Sequence, residues 1–142
     1  MNPSMNLRHE ANRTDLVKQL LYFDEEFSEE LSRTSVGTAE KHKLMALSER
    51  YCGEINRLLG QGDQGEATSG KVLIGSRATI RYTDDGSEET YTLVLPNSSN
   101  IDDGHISFLS PLGMNLLMRE LNEEVSVMSP AGAYTVKVVE IA

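Results

Sequence analysis

The chain has 142 residues, room for one ordinary domain or for a compact domain with a helical extension. It carries 13 Lys plus Arg against 22 Asp plus Glu, a formal net charge of −9, which is the wrong sign for holding phosphate backbones or anionic lipid unaided. With 39% hydrophobic residues, no apolar run long enough to span a bilayer, no apolar signal-peptide core in its first ten residues and a single Cys52, it reads as a cytoplasmic chain with a buried core and a protein partner.

The N-terminal part has helical spacing. Leu16, Leu20, Phe23, Phe27 and Leu31 recur every three or four residues and predict one apolar helix stripe, with Asn6 or Thr14 as its N-cap. Leu44, Leu47, Tyr51, Ile55 and Leu58 predict a second stripe. Between them, Gly37 suits a chain reversal and Thr38 an N-cap, with Glu40 in the first turn, where the helix dipole favours a carboxylate. The pair predicts an antiparallel helical hairpin over residues 1–60, about 32 Å long at 1.5 Å per residue. A lone pair of helices has little core, so it must lean on another domain, a second copy or a partner. Residues 61–70 are glycine-rich without large apolar side chains and read as a linker.

Beyond the linker the apolar residues alternate. Val72, Ile74, Ala78, Ile80 and Tyr82 predict a strand bent at Gly75-Ser76, Asp84-Asp85-Gly86 a hairpin turn, and Tyr91, Leu93 and Leu95 the return strand. A loop from Pro96 to Asp103 leads to a short strand, His105–Leu109, and then to a short helix from Pro111 to Met118 capped by Ser110. Val125 and Val127, a turn at Ser129-Pro130-Ala131-Gly132, and Tyr134, Val136 and Val138 complete about five antiparallel strands over residues 71–142. The fold class is α+β. The acidic excess is shared almost evenly, net −4 before residue 70 and −5 from there on, so neither part is a basic arm.

Several motifs stand in register. Ile74-Gly75-Ser76-Arg77-Ala78-Thr79-Ile80, then Ser110-Pro111-Leu112-Gly113-Met114-Asn115-Leu116-Leu117, then Glu123-Glu124-Val125-Ser126-Val127 and Ser129-Pro130-Ala131-Gly132 resemble the C-terminal domain of the GreA/GreB transcription elongation factors. The regulators of nucleoside diphosphate kinase (Rnk) share the pattern. The resemblance runs from Lys71 to Ala142. Two positions depart from it: the family often has Gly where this chain has Met118, and Gly-Asp where it has Asn122-Glu123. The resemblance implies an FKBP-like β domain that docks at the rim of the RNA polymerase secondary channel. The surface around Ser110, Pro111, Leu112 and Met114 would make that contact. An N-terminal antiparallel coiled coil would reach down the channel, where acids at the tip of cleavage-stimulating members help hold Mg²⁺ in the polymerase active site.

Mg²⁺ takes hard oxygen ligands, so the acids near the predicted tip decide the chemistry. The predicted loop, Thr34–Thr38, contains no Asp or Glu, and the nearest acids are Glu29, Glu30 and Glu40. The run Asp24 to Glu30 reads as a solvated helix face. The expectation is a polymerase-binding regulator, not itself an enzyme, without cofactor or metal of its own and with weak or no stimulation of transcript cleavage. A cleavage-competent factor is the alternative. Cys52 reads as a small apolar residue, and His9, His42 and His105 fall in three separate elements and suggest no metal site. Two functions of other classes are a module that self-associates through the hairpin as a homodimer, and a peptidyl-prolyl isomerase. The isomerase would need an aromatic cage, for which the C-terminal part offers Tyr82, Tyr91, Phe108 and Tyr134, most of them expected in the core.

Overall fold

The computed structural model describes residues 13–33, 37–60 and 70–142. The chain divides into two compact units, Met1–Thr68 and Ser69–Ala142. Together they make an α+β protein in which helices precede a five-stranded sheet. No helix among the described residues is long and apolar enough to cross a membrane.

The first unit holds α1 (Arg13–Glu25), α2 (Phe27–Arg33) and α3 (Thr38–Leu59). Between α1 and α2 only Glu26 leaves helical geometry. Its N–H still donates to the Tyr22 carbonyl (2.8 Å) and its carbonyl accepts from the Glu30 N–H (3.0 Å), so the helical ladder continues past the irregularity. Contacts to α3 run in opposite directions along the two helices. The Arg13 guanidinium donates to the Leu59 carbonyl at 2.9 Å, Gln19 meets Tyr51, and the Phe23 and Tyr51 rings lie 5.7 Å apart. All five apolar positions expected on α3 are buried. On α1 and α2 the buried set is Leu16, Gln19, Tyr22, Phe27 and Leu31, so Leu20 and Phe23 yield their expected places to Gln19 and Tyr22. Gln19 is drawn inward because it is satisfied there. Its amide oxygen accepts from the Tyr51 hydroxyl at 2.5 Å and its NH₂ donates to Asp15 at 2.8 Å. The N-cap of α3 is Gly37, not Thr38. Gly37 has extended φ/ψ (−74°, 171°) and its carbonyl accepts from the Lys41 N–H, while Thr38 is already helical. Thr14 lies inside α1; Asn6, His9, residues 34–36 of the expected loop and residues 61–69 of the expected linker fall outside the described residues.

In the second unit the sheet order is β3-β2-β1-β5-β4, with β1 Arg77–Tyr82, β2 Glu88–Val94, β3 His105–Ser107, β4 Glu124–Ser129 and β5 Gly132–Ile141. Three of the four pairings are antiparallel; β3 lies parallel to β2, contrary to the all-antiparallel expectation. The cause is the connection, which is too long for a hairpin. Two 3-10 turns, Pro96–Ser98 and Ile101–Asp103, carry the chain back so that β3 runs alongside β2 in the same direction. The segment Val72–Ile74 is buried but is not part of β1. Lys71 makes a single bridge to Glu120, the Val72 N–H donates to the Arg119 carbonyl, and a turn at Gly75 (φ 101°) is fastened by the Leu73 N–H donating to Ser76 Oγ. Hydrogen bonding there is spent on the segment after the short helix. One sheet face is apolar, with Ala78, Ile80, Leu93, Val125, Val127, Val136 and Val138 buried. The other carries Thr79 hydrogen-bonded to Thr90 and Arg81 paired with Glu88. Of the four aromatics expected mostly in this core, Phe108 is buried and Tyr82, Tyr91 and Tyr134 are half-buried.

Candidate functional site

The Ser110–Met114 segment opens α4 (Pro111–Leu116). Ser110 is extended (φ −69°, ψ 157°), its Oγ accepts from the Gly113 N–H at 3.1 Å, and Pro111 occupies the first helical turn, where its missing N–H costs nothing. The Ser110 hydroxyl also donates to the Ser107 carbonyl at 2.7 Å, so both its functions serve the fold. The surface left to a partner consists of exposed Pro111 with half-buried Leu112 and Met114. Gly113, between them, is buried. A Cβ there would come within 2.1 Å of the Ser107 carbonyl oxygen and 2.9 Å of Ser110 Oγ. This glycine lets the start of α4 sit against β3, and sequence reasoning passed over it; its signal was a glycine inside a helical turn, where propensity disfavours it.

The helix ends at Leu116, two residues short of the expected Met118, because Met118 is left-handed (φ 68°). Its N–H donates to the Val72 carbonyl at 2.7 Å. Asn122 is left-handed as well (φ 72°), and these are the only non-glycine residues with positive φ among the described residues. The following turn is locked by Glu123. One carboxylate oxygen accepts from the Glu120 N–H at 2.9 Å and the other pairs with Arg119 at 2.7 Å. The backbone N–H first, and then the Arg119 side chain, hold the Glu123 carboxyl below its ordinary range.

The three candidate tip acids flank the expected loop but are not brought together. Glu29 and Glu30 stand in the first turn of α2, Glu29 exposed and Glu30 half-buried; Glu40 stands in the first turn of α3. Glu30 faces Arg33 at 3.9 Å. Among the described residues no three His, Cys, Asp or Glu converge as a metal-ligating group. Cys52 is half-buried and burial pushes its thiol pKa up, which keeps it protonated and poorly nucleophilic. His42 is exposed and His105 half-buried, in different units.

A family model of the C-terminal part of the transcription elongation factors GreA and GreB matches residues 67–142, more than half of the chain. The chain belongs to the GreA/GreB family. Transcription elongation factor GreA of Chloroflexus aggregans is 37% identical over 102 residues, 70% of this chain and 65% of the relative. A stretch of that length cannot fit within residues 67–142, so the likeness to GreA runs back into α3. GreA of Desulfovibrio desulfuricans is 39% identical over 72 residues, 51% of this chain and 44% of the relative. The chain thus spans less than two thirds of the length of these curated relatives. Among solved structures, GreA factor homolog 1 (Gfh1) of Thermus thermophilus is 23% identical with a TM-score of 0.47, over 93% of this chain and 95% of that one. Within the family's pattern, both departures of this sequence, Met118 and Asn122, fall at the left-handed positions just described. Glycine, which the resemblance leads one to expect at both, would take that conformation without a Cβ penalty.

Proposed function

We propose that this chain is a transcription elongation regulator that binds RNA polymerase at the secondary channel and stimulates transcript cleavage weakly or not at all. The observation that carries the reading is the pairing, in one chain, of a GreA/GreB C-terminal part with an N-terminal pair of antiparallel amphipathic helices. The arrangement is a coiled-coil hairpin over residues 1–60, a linker over 61–70 and an FKBP-like domain over 71–142. The C-terminal domain docks at the channel rim through the surface of Pro111, Leu112 and Met114 that Ser110 holds in place, and the helices enter the channel. The protein works in the cytoplasm, is not itself an enzyme, and needs no nucleic-acid contact of its own, in keeping with its net charge of −9.

Weak cleavage follows from the acids. A Mg²⁺ site needs hard oxygen donors free to turn toward the ion. Residues 34–38 supply none, and Glu30 already faces a cation, Arg33. The donor set of Glu29, Glu30 and Glu40 therefore fits a shared Mg²⁺ poorly, and no catalytic step is assigned to it. Halted elongation complexes test this directly. Adding the protein should leave the transcript at its starting length, or shorten it far more slowly than a cleavage-competent GreA does. Rapid shortening that disappears in the Glu29→Ala, Glu30→Ala double variant would contradict the reading.

A further inference from the structure

Along the apolar face of the sheet, burial fades toward one end. On β2 it falls from buried Leu93 through half-buried Tyr91 to exposed Glu89; on β1 from Ile80 to Tyr82; on β5 from Val136 to Tyr134. Glu89 sits opposite Ile80 in the register, so strand alternation puts a carboxylate on the face that otherwise carries Leu93 and Tyr91. The tyrosines gather around it. The Tyr82 hydroxyl donates to Glu89 Oε1 at 2.6 Å and the Tyr91 hydroxyl donates to the same oxygen at 2.8 Å. The Tyr82 and Tyr134 rings are 5.7 Å apart, tilted by 42°. Burial, and after it the charge of Glu89, raise the Tyr134 phenol pKa, so the field of this carboxylate reaches the third ring. Its neighbour Glu88, on the opposite face, is paired with Arg81 at 2.8 Å. Glu89 has no cation within 4.0 Å and its Oε2 accepts no hydrogen bond among the described residues.

We propose that Glu89, Tyr82, Tyr91 and Tyr134 form a binding site for a guanidinium, the side chain of an arginine presented by a protein partner. The two phenols fix the carboxylate by one oxygen and leave the other open to a charge-assisted hydrogen bond. Half-exposed tyrosine rings beside it offer π-faces on which a planar guanidinium stacks. A lysine ammonium is more strongly hydrated and gains less from such rings, and an anion is repelled by Glu89. The site is independent of the polymerase assignment above, because the ligand is defined by its chemistry and tested without polymerase.

The test uses the full chain labelled at its tyrosine ring carbons and titrated with acetyl-Gly-Arg-Gly-amide, followed by NMR. The rings of Tyr82, Tyr91 and Tyr134 should shift saturably with the arginine peptide, and hardly at all with the citrulline peptide, which keeps the shape without the charge. Glu89→Gln, which retains an acceptor for both phenols, should weaken the arginine peptide about tenfold, equivalent to about 1.4 kcal/mol, while the backbone amide spectrum stays that of the folded protein. Tyr134→Leu should weaken it severalfold. Absence of shifts, equal shifts with citrulline, an unchanged dissociation constant in Glu89→Gln, or binding of acetyl-Gly-Lys-Gly-amide, titrated in the same way, as tight as that of the arginine peptide would each overturn the assignment.

Discussion

Gly113 has no room for a side chain. An added Cβ would meet the Ser107 carbonyl oxygen at 2.1 Å, and that atom is backbone, held in β3 and already accepting from the Ser110 hydroxyl and the Ser110 N–H. Gly113→Ala should therefore destabilise the unit by about 3 kcal/mol or more, read as a lower urea midpoint. Met118 makes the converse case. It holds a left-handed conformation that costs a side chain about 1 kcal/mol. Met118→Ala and Met118→Gly remove the same packing, but only the glycine variant also removes the Cβ, so it should be the more stable of the two by about 1 kcal/mol in urea unfolding. Equal midpoints would mean that the conformation relaxes without strain. Ser110, Pro111 and the turn at Ser129–Gly132 were legible in the sequence because capping and turn chemistry act over three or four residues. The role of Gly113 was not, because its close contact is with a strand that no local pattern pairs to it.

Among the elements, α3 followed its apolar period residue by residue, since an uninterrupted stripe of five positions leaves one face to bury. The partner face of α1 and α2 did not. A buried hydrogen bond selects Gln19 over a neighbouring leucine, ahead of the irregularity at Glu26, beyond which Phe27 and Leu31 are buried as expected. Polar residues enter a helix interface when they are satisfied there, and periodicity does not report partners on another helix. Tyr51→Phe keeps the ring and removes the donor to Gln19. It should cost about 1–2 kcal/mol, read as a lower melting midpoint in far-ultraviolet circular dichroism. A midpoint equal to that of the parent would show that the Gln19 oxygen finds another donor. The parallel β2–β3 pair was also hidden, because strand spacing predicts strands but not the path of the connection between them.

For the whole molecule, the net charge of −9 by itself only weighs against nucleic acid and anionic membrane as direct partners. Under the function proposed above, such a chain would meet nucleic acid only by way of the polymerase. The sequence motifs from Lys71 onward and the family match over residues 67–142 coincide, so membership was legible in the residues alone. The placing of Glu29 and Glu30 on one helix and Glu40 on the next was legible too, but the engagement of Glu30 with Arg33 was not, since it depends on side-chain geometry. Under the proposed function the chain binds RNA polymerase in competition with GreA. The most direct measurement titrates it into stalled elongation complexes at a fixed, active concentration of a cleavage-competent GreA. The expected result is saturable binding and a progressive loss of GreA-stimulated transcript shortening as the chain displaces GreA. No binding at micromolar protein, or binding that leaves GreA-stimulated shortening unchanged, would contradict it.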